Sequence, residues 1–147
     1  MMNPLAEVLQ DLRLSTSFFA RSELNAPWGL AFSVKDGPHF HMIVTGQCFL
    51  RISTERIPLK TGDLVLLPHG DEHQLVSSKE EAATSLMALP SERIGHNAAL
   101  LHYGGDGAEA LLLCEGVRFA GPIVHPLLKL LPHLLLLHRE ELEAEYT

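Results

Sequence analysis

The sequence predicts a mainly β protein, an antiparallel β-barrel of jelly-roll-like form, with a short N-terminal helix and helices at the C-terminal end. Short aromatic or aliphatic runs follow one another from Ser15 onward, and turn-forming residues separate them at intervals of about ten residues. This spacing is typical of antiparallel barrels and sandwiches rather than of alternating strands and helices. The 147 residues, 46% of them hydrophobic, are enough for one domain with a continuous core.

Helices are predicted at the two ends of the chain. Near the start, Asn3-Pro4 resembles a cap and a first-turn proline, and four apolar residues then share one helical face: Leu5, Val8, Leu9 and Leu12. From Pro126 leucines are too dense for a helix with one wet face, and Pro132 is predicted to begin a second helix. We therefore divide the chain into a barrel with its N-terminal helix, residues 1–125, and a helical segment, residues 126–147. Because so much apolar surface is seldom left exposed, this segment is expected to pack on the barrel or in a homodimer.

The most informative stretch is residues 62–73. Gly62 and Asp63 form a predicted turn, Leu64–Leu67 a short buried strand, and Pro68 to Gly70 a second turn, so that His73 begins the next strand. Further along, two apolar runs at 100–103 and 110–114 flank the glycine-rich residues 104–107. They are predicted to form a closing hairpin.

Charge and composition exclude several functions for this piece of chain. Its formal charge is -7, with 11 basic against 18 acidic residues and no basic cluster, so it is not expected to bind nucleic acid itself. It has neither the pattern of a signal peptide nor an apolar run of ~18 residues, and we expect a cytoplasmic protein without a membrane partner. In that reducing compartment, Cys48 and Cys114 are expected to be buried thiols or metal ligands rather than a disulfide. No arrangement typical of nucleophilic or paired-carboxylate catalysis is present.

The spacing G-x5-P-x-G-x2-H in residues 62–73 resembles the second signature of the cupin superfamily, whose small barrels often point the last histidine, here His73, inward. The first signature is only partly met. His39-Phe40-His41 supplies its H-x-H, yet Thr45 and Gly46 stand where its glutamate is required. In a second register Gly46 closes the signature and His39 takes the glutamate position. Neither register gives the full set of four ligands.

Over nearly its whole length the chain is similar to the N-terminal cupin domain of AraC-type bacterial transcription regulators. The matching pieces, in order, are Asn3-Pro4-Leu5, Ala26-Pro27-Trp28-Gly29, residues 40–46, residues 62–70, residues 113–116, His125-Pro126-Leu127-Leu128 and Leu131-Pro132. The resemblance implies a regulatory domain, not an enzyme, that senses a small-molecule effector or mediates dimerisation. DNA would be bound only through a C-terminal helix-turn-helix domain, whose linker would begin at Thr147. The alternative is a stand-alone metal-dependent cupin enzyme, an oxygenase or isomerase, which the absent glutamate disfavours.

Three residues are predicted to bind a metal: His41, His73 and Cys114. Strand alternation places His39 and His41 on one face, and the resemblance places His41 and His73 at one interior point, where a cysteine on a closing strand would add a third ligand. Two imidazoles and a thiolate suit zinc, or another divalent metal, in a tetrahedral site with one open position. The alternative is hydrogen-bonded core histidines beside a buried thiol. His39 and His69 are second choices, expected in a turn or at the rim.

Overall fold

The structure is a computed structural model that describes residues 14–33, 37–119 and 129–140. Most of these residues form β-strands, and one turn of 3-10 helix, Leu86–Ala88, lies between the eighth and the ninth strand. In chain order the strands are β1 (Leu14–Asn25), β2 (Gly29–Phe32), β3 (His39–Thr45), β4 (Gln47–Ile52), β5 (Glu55–Lys60), β6 (Leu64–Leu67), β7 (His73–Val76), β8 (Thr84–Ser85), β9 (Glu92–Gly95), β10 (Ala98–Gly104), β11 (Glu109–Phe119) and β12 (Leu135–Leu137). The prediction of a mainly β fold is confirmed.

The strands form two sheets. The larger has the order β12-β6-β3-β11-β1-β10-β9, and the smaller has the order β5-β4-β7-β2-β8. Pairing is antiparallel except between β1 and β10 and between β2 and β8. Long strands from distant parts of the chain thus lie side by side, which is typical of two-sheet antiparallel folds.

The core lies between the two sheets because each central strand alternates buried and more exposed residues. On β3 the side chains of His39, His41 and Ile43 are buried while those between them are less so. On the smaller sheet Leu50 and Leu75 are fully buried. Side chains two residues apart share a face of a strand, so the same alternation that builds the apolar core also directs the β3 histidines into it.

The stretch of residues 62–73 has the predicted structure. Gly62 adopts a φ of +91°, which an L side chain rarely takes, and Gly70 has a φ of +68° and lies against the backbone carbonyl of Gly37. Between these turns β6 is a four-residue strand in which Val65 and Leu67 are fully buried and Leu64 and Leu66 are half-buried. The second turn delivers His73 to the start of β7, where its side chain is buried.

The predicted closing hairpin is wrong. The run at 100–103 lies in β10 and the run at 110–114 in β11, but β1 stands between these two strands. β1 pairs with β11 along most of its length and with β10 on its other side. The local pattern correctly indicated two strands, whereas their partner comes from a much earlier part of the chain.

The prediction of a helix is also wrong for Leu135–Leu137 in the C-terminal segment. Residues Leu135–Leu137 form β12, which pairs with β6 at the edge of the larger sheet. Without β12, the backbone of β6 would be an unpaired edge, and pairing satisfies its hydrogen-bonding groups while half-burying the leucines. The predicted N-terminal helix, and the C-terminal helical positions outside 129–140, lie outside the described residues. No helix in the described part of the chain is long and apolar enough to cross a membrane.

Candidate metal centre

Three histidines from both sheets converge in the core. His39 and His41 come from β3 of the larger sheet, and His73 comes from β7 of the smaller sheet. One donor nitrogen from each ring lies within 4.8 Å of the other two, and none of the three side chains is more than 3% exposed. This is a buried, preformed cluster of three imidazoles.

Hydrogen bonds define how two of these rings present their nitrogens. Nδ1 of His73 lies 2.7 Å from the backbone carbonyl oxygen of Asp71, which can only accept, so Nδ1 carries the proton. In the neutral ring Nε2 of His73 is therefore unprotonated and carries a lone pair. It lies 2.6 Å from Nε2 of His41, which must donate the shared proton. Nδ1 of His41 then has no hydrogen-bond partner among the described residues.

Two phenylalanines surround the cluster on its apolar side. Phe32 on β2 stacks on His73 with 5.0 Å between ring centroids and 7° between ring planes. It also lies 4.5 Å from the His41 ring, centroid to centroid, while Phe18 meets the edge of His39. Phe32 and His73 are direct partners across β2 and β7, which explains the stacking. The rings are thus held in fixed positions by packing.

Burial keeps the imidazoles of His41 and His73 neutral. It is the main cause that lowers the pKa of His41 well below 6.5, and the neighbouring His73 and His39 lower it further. Burial also lowers the pKa of His73 to about 4, although the hydrogen bond to the Asp71 carbonyl opposes this shift. At neutral pH both rings are therefore uncharged, which is the form that binds metals.

The cluster fits a divalent metal ion. Nitrogens that bind one ion at about 2.1 Å lie roughly 3.0–3.4 Å from each other in octahedral or tetrahedral geometry. The observed spacings, from 2.6 Å for His41 to His73 up to 4.8 Å across the group, bracket that range. The His73 ring already has the arrangement of a metal ligand, with the second nitrogen donating to a backbone carbonyl. Binding an ion would require small shifts of the rings and movement of the His41 proton from Nε2 to Nδ1, which has no hydrogen-bond partner among the described residues.

Cys114, the third predicted ligand, is not a member of this cluster. It lies on β11 directly opposite His41 and is fully buried, but His39 completes the converging group of donor atoms. Burial raises the pKa of the Cys114 thiol, and Cys48 raises it further, so the thiolate form is disfavoured. Burial, and to a smaller extent the Asp63 carboxylate, raises the pKa of Cys48 to about 12. The structure thus brings two predicted ligands together and places the third beside them.

His39 was only a second-choice ligand in the sequence prediction, and the contacts of the C-terminal segment were not predicted. His39 was expected in a turn or at the rim, although the H-x-H spacing itself was the signal that it shares a face with His41. His69 does lie in the turn after β6, where its Nε2 donates to the carbonyl oxygen of Leu131 at 2.7 Å. No local pattern indicated the contacts of the C-terminal segment, His133 with Asp71 and His138 with Asp63.

A two-sheet β fold with histidines from both sheets at its centre defines the class of small cupin-like barrels. A sequence profile of the family described as Cupin matches residues 3–146. The chain belongs to the cupin family.

Two known proteins are similar to parts of the chain. It is 28% identical over 98 residues to an uncharacterised HTH-type transcriptional regulator of Haemophilus influenzae, a match that covers 65% of this chain and 32% of that protein. The matched region thus spans about a third of that regulator's length. The crystal structure of a cupin protein from Bacteroides fragilis is similar with a TM-score of 0.42 and 18% identity, covering 71% of this chain and 67% of that one.

Proposed function

We propose that this chain is the effector-sensing and dimerisation domain of an AraC-type transcription regulator, and that His39, His41 and His73 bind a divalent metal, zinc being the first choice. The observation that carries the metal proposal is the convergence of three buried imidazoles, with the Nε2 lone pair of His73 directed into the cluster. Similarity to an HTH-type regulator supports the regulatory class. The charge of -7 agrees with DNA contact by another part of the protein.

In this proposal a small-molecule effector, or the metal itself, changes how two copies of the chain associate. Three imidazoles leave at least one coordination position open for an oxygen or nitrogen of the effector. The C-terminal segment is the proposed dimer contact, since Leu130 is 81% exposed and Leu131 is 38% exposed. The two DNA-binding units of the full protein would then be presented at a spacing set by the dimer.

The second candidate is a metal-dependent cupin enzyme, an oxygenase or isomerase. The structure brings three histidines together, whereas the sequence predicted two histidines and a cysteine. A site with three nitrogen ligands and open positions favours the enzyme more than the predicted site did. A bound metal would supply Lewis-acid or redox chemistry there. In either function the chain's own residues have the same role: the three imidazole rings would hold the ion, and Phe18 and Phe32 would exclude water from one side.

Elemental analysis and titration with zinc test the metal centre. We expect about one equivalent of tightly bound metal per chain, a loss of binding in His41→Ala and His39→Ala, and unchanged binding in His102→Ala, whose exposed ring pairs with Glu23 away from the cluster. Cys114→Ser distinguishes the two ligand sets, because retained binding assigns the site to the three histidines. Equal metal content in wild type and His41→Ala would refute the site.

A reporter experiment tests the regulatory class. The chain is fused to a DNA-binding domain that needs dimerisation to repress its operator, and repression is measured with and without added zinc and after Leu130→Asp. We expect repression that depends on Leu130 and changes with zinc. A monomer by light scattering and a reporter that never responds would refute the sensor and leave the enzyme as the better explanation.

A further inference from the structure

Asp71 links the histidine cluster to the C-terminal segment. Its backbone carbonyl accepts the hydrogen bond from Nδ1 of His73 at 2.7 Å. Its carboxylate oxygen Oδ2 accepts a hydrogen bond from Nδ1 of His133 at 2.8 Å. One residue therefore contacts both the candidate ligand and a residue 62 positions further along the chain.

Other contacts attach the same segment to the same side of the barrel. The rings of His69 and His133 stack with 4.2 Å between centroids, and His69 also bonds the carbonyl of Leu131. Beyond them β12 pairs with β6, and Nδ1 of His138 donates to the buried carboxylate of Asp63 at 2.9 Å. Residues 131–138, which we name the clasp segment, are thus held along the turn-strand-turn that ends at His73.

We propose that Asp71 and His133 are positioning residues for the metal centre, so that metal binding at the three histidines and docking of the clasp segment stabilise each other. This inference rests on the metal centre proposed above. Metal binding inside the barrel would thereby change how firmly the clasp segment docks, and with it the contacts of the C-terminal part of the chain with a partner or a DNA-binding domain.

The physical reason lies in the position of the Asp71 carbonyl. The hydrogen bond from Nδ1–H to that carbonyl favours the tautomer and ring orientation in which Nε2 of His73 presents its lone pair to a metal. Such outer hydrogen bonds also raise the basicity of a ligand. The carboxylate bond to His133 restrains the same residue from the other side. A docked clasp segment therefore favours the ring orientation that a metal needs, and a bound metal in turn holds the Asp71 turn where His133 contacts it.

The expected coupling is moderate. The His133 side chain is 69% exposed and that of Asp71 is 36% exposed, so solvent weakens the pair. Couplings between sites usually correspond to about 5- to 150-fold in affinity, and this exposure places the present one near about fivefold. Linkage requires the same factor in both directions, so a fivefold loss of metal affinity must accompany a fivefold loss of metal-induced docking.

Two measurements on the whole chain test the coupling. Zinc affinity is measured by competition with a chelator, and amide hydrogen exchange of Leu135–Leu137 is followed with and without zinc. In wild type we expect zinc to slow exchange of these amides several-fold. In His133→Ala the zinc affinity should fall about fivefold and the effect of zinc on exchange should disappear.

Matched variants separate positioning from general loss of structure. Asp71→Ala should repeat the effect of His133→Ala, the double variant should lose no more than either single one, and Asp71→Asn, which keeps an oxygen acceptor, should restore most of the affinity. His102→Ala removes another exposed histidine–carboxylate pair and should change neither readout. Zinc binding with unaltered exchange, or His133→Ala within twofold of wild-type affinity, would refute the coupling alone. A wild-type chain that binds no metal would refute the metal centre and the coupling together.

Discussion

Acidification is expected to destabilise the fold through its buried histidines. Burial lowers the pKa of His73 from 6.5 to about 4, while the same ring in the unfolded chain keeps its ordinary value. Between these two values the unfolded state binds a proton that the folded state does not. Because stability rises with pH wherever the unfolded state binds more protons, the folded chain must lose stability as the pH falls from about 6.5 to about 4.

The size of the loss follows from the same two pKa values. Integrating the linkage relation for one site gives a loss of about 2 kcal/mol between pH 7 and pH 5, and of about 3 kcal/mol by pH 4. The pKa of His41 is lowered as well, so its contribution has the same sign and adds to the loss. A typical domain is stable by only 5–15 kcal/mol, roughly, and the effect is therefore a substantial share of the total.

Urea denaturation from pH 7 to pH 4, with a chelator present to remove metal, measures this loss. Carboxylates also titrate near the lower end, so the matched comparison is His73→Asn, which cannot gain a proton and should show a fall smaller by about 2 kcal/mol at pH 5. The imidazole NMR resonances of the wild type report the titration directly. A pH-independent stability above pH 5, or a His73 ring that titrates near 6.5, would refute the reasoning.

Three further changes have defined outcomes in the same denaturation assay. Ser22→Ala should be neutral or stabilise by up to about 1 kcal/mol, because the buried Ser22 hydroxyl has no hydrogen-bond partner among the described residues. Ser77→Ala should instead cost about 1 kcal/mol, because it removes a hydroxyl that accepts a backbone N–H at 2.9 Å. If Ser22→Ala costs as much as Ser77→Ala, the hydroxyl has a partner. Leu112→Ala should cost about 2–5 kcal/mol since Leu112 is fully buried between the sheets, and Met87→Ala, at a 71% exposed site, should stay within about 0.5 kcal/mol. Similar losses at both sites would contradict the assigned core. Gly62→Ala should cost about 1–2 kcal/mol because its φ of +91° disfavours a Cβ, and an unaffected variant would mean that the turn has another conformation.

Local patterns predicted the parts of the fold that depend on neighbouring residues. The stretch of residues 62–73 was assigned correctly because glycine at positive φ, a short aliphatic strand and a proline turn each depend on a few consecutive residues. The inward position of His73 followed from the same stretch together with the family resemblance. The resemblance likewise placed His41 beside His73, and the two Nε2 atoms lie 2.6 Å apart.

Pairing between distant strands was beyond the reach of these patterns. Two apolar runs around a glycine-rich turn indicate a hairpin, and nothing near them shows that β1 inserts between β10 and β11. The leucines at 135–137 have no period that distinguishes a strand from a densely apolar helix. They form a strand because the backbone of β6 at the sheet edge offers hydrogen-bonding groups with which they pair. The choice of His39 over Cys114 likewise depends on the distance between facing sheets, which a sequence pattern does not contain.

The composition of the cluster itself favours a bound ligand over simple packing. Burial lowers the pKa of His41 and His73, so these two imidazoles reduce stability in acid. Nδ1 of His41 also lacks a hydrogen-bond partner among the described residues, and aliphatic side chains at these positions would avoid both costs. A ligand that binds only the folded chain offsets such a cost by mass action, with about 2.7 kcal/mol at a free concentration one hundred times its dissociation constant. Because His39 and His41 belong to one sheet and His73 to the other, an ion bound there would also join the two sheets. The same residues that weaken the empty barrel in acid are therefore the ones through which a bound metal would strengthen it.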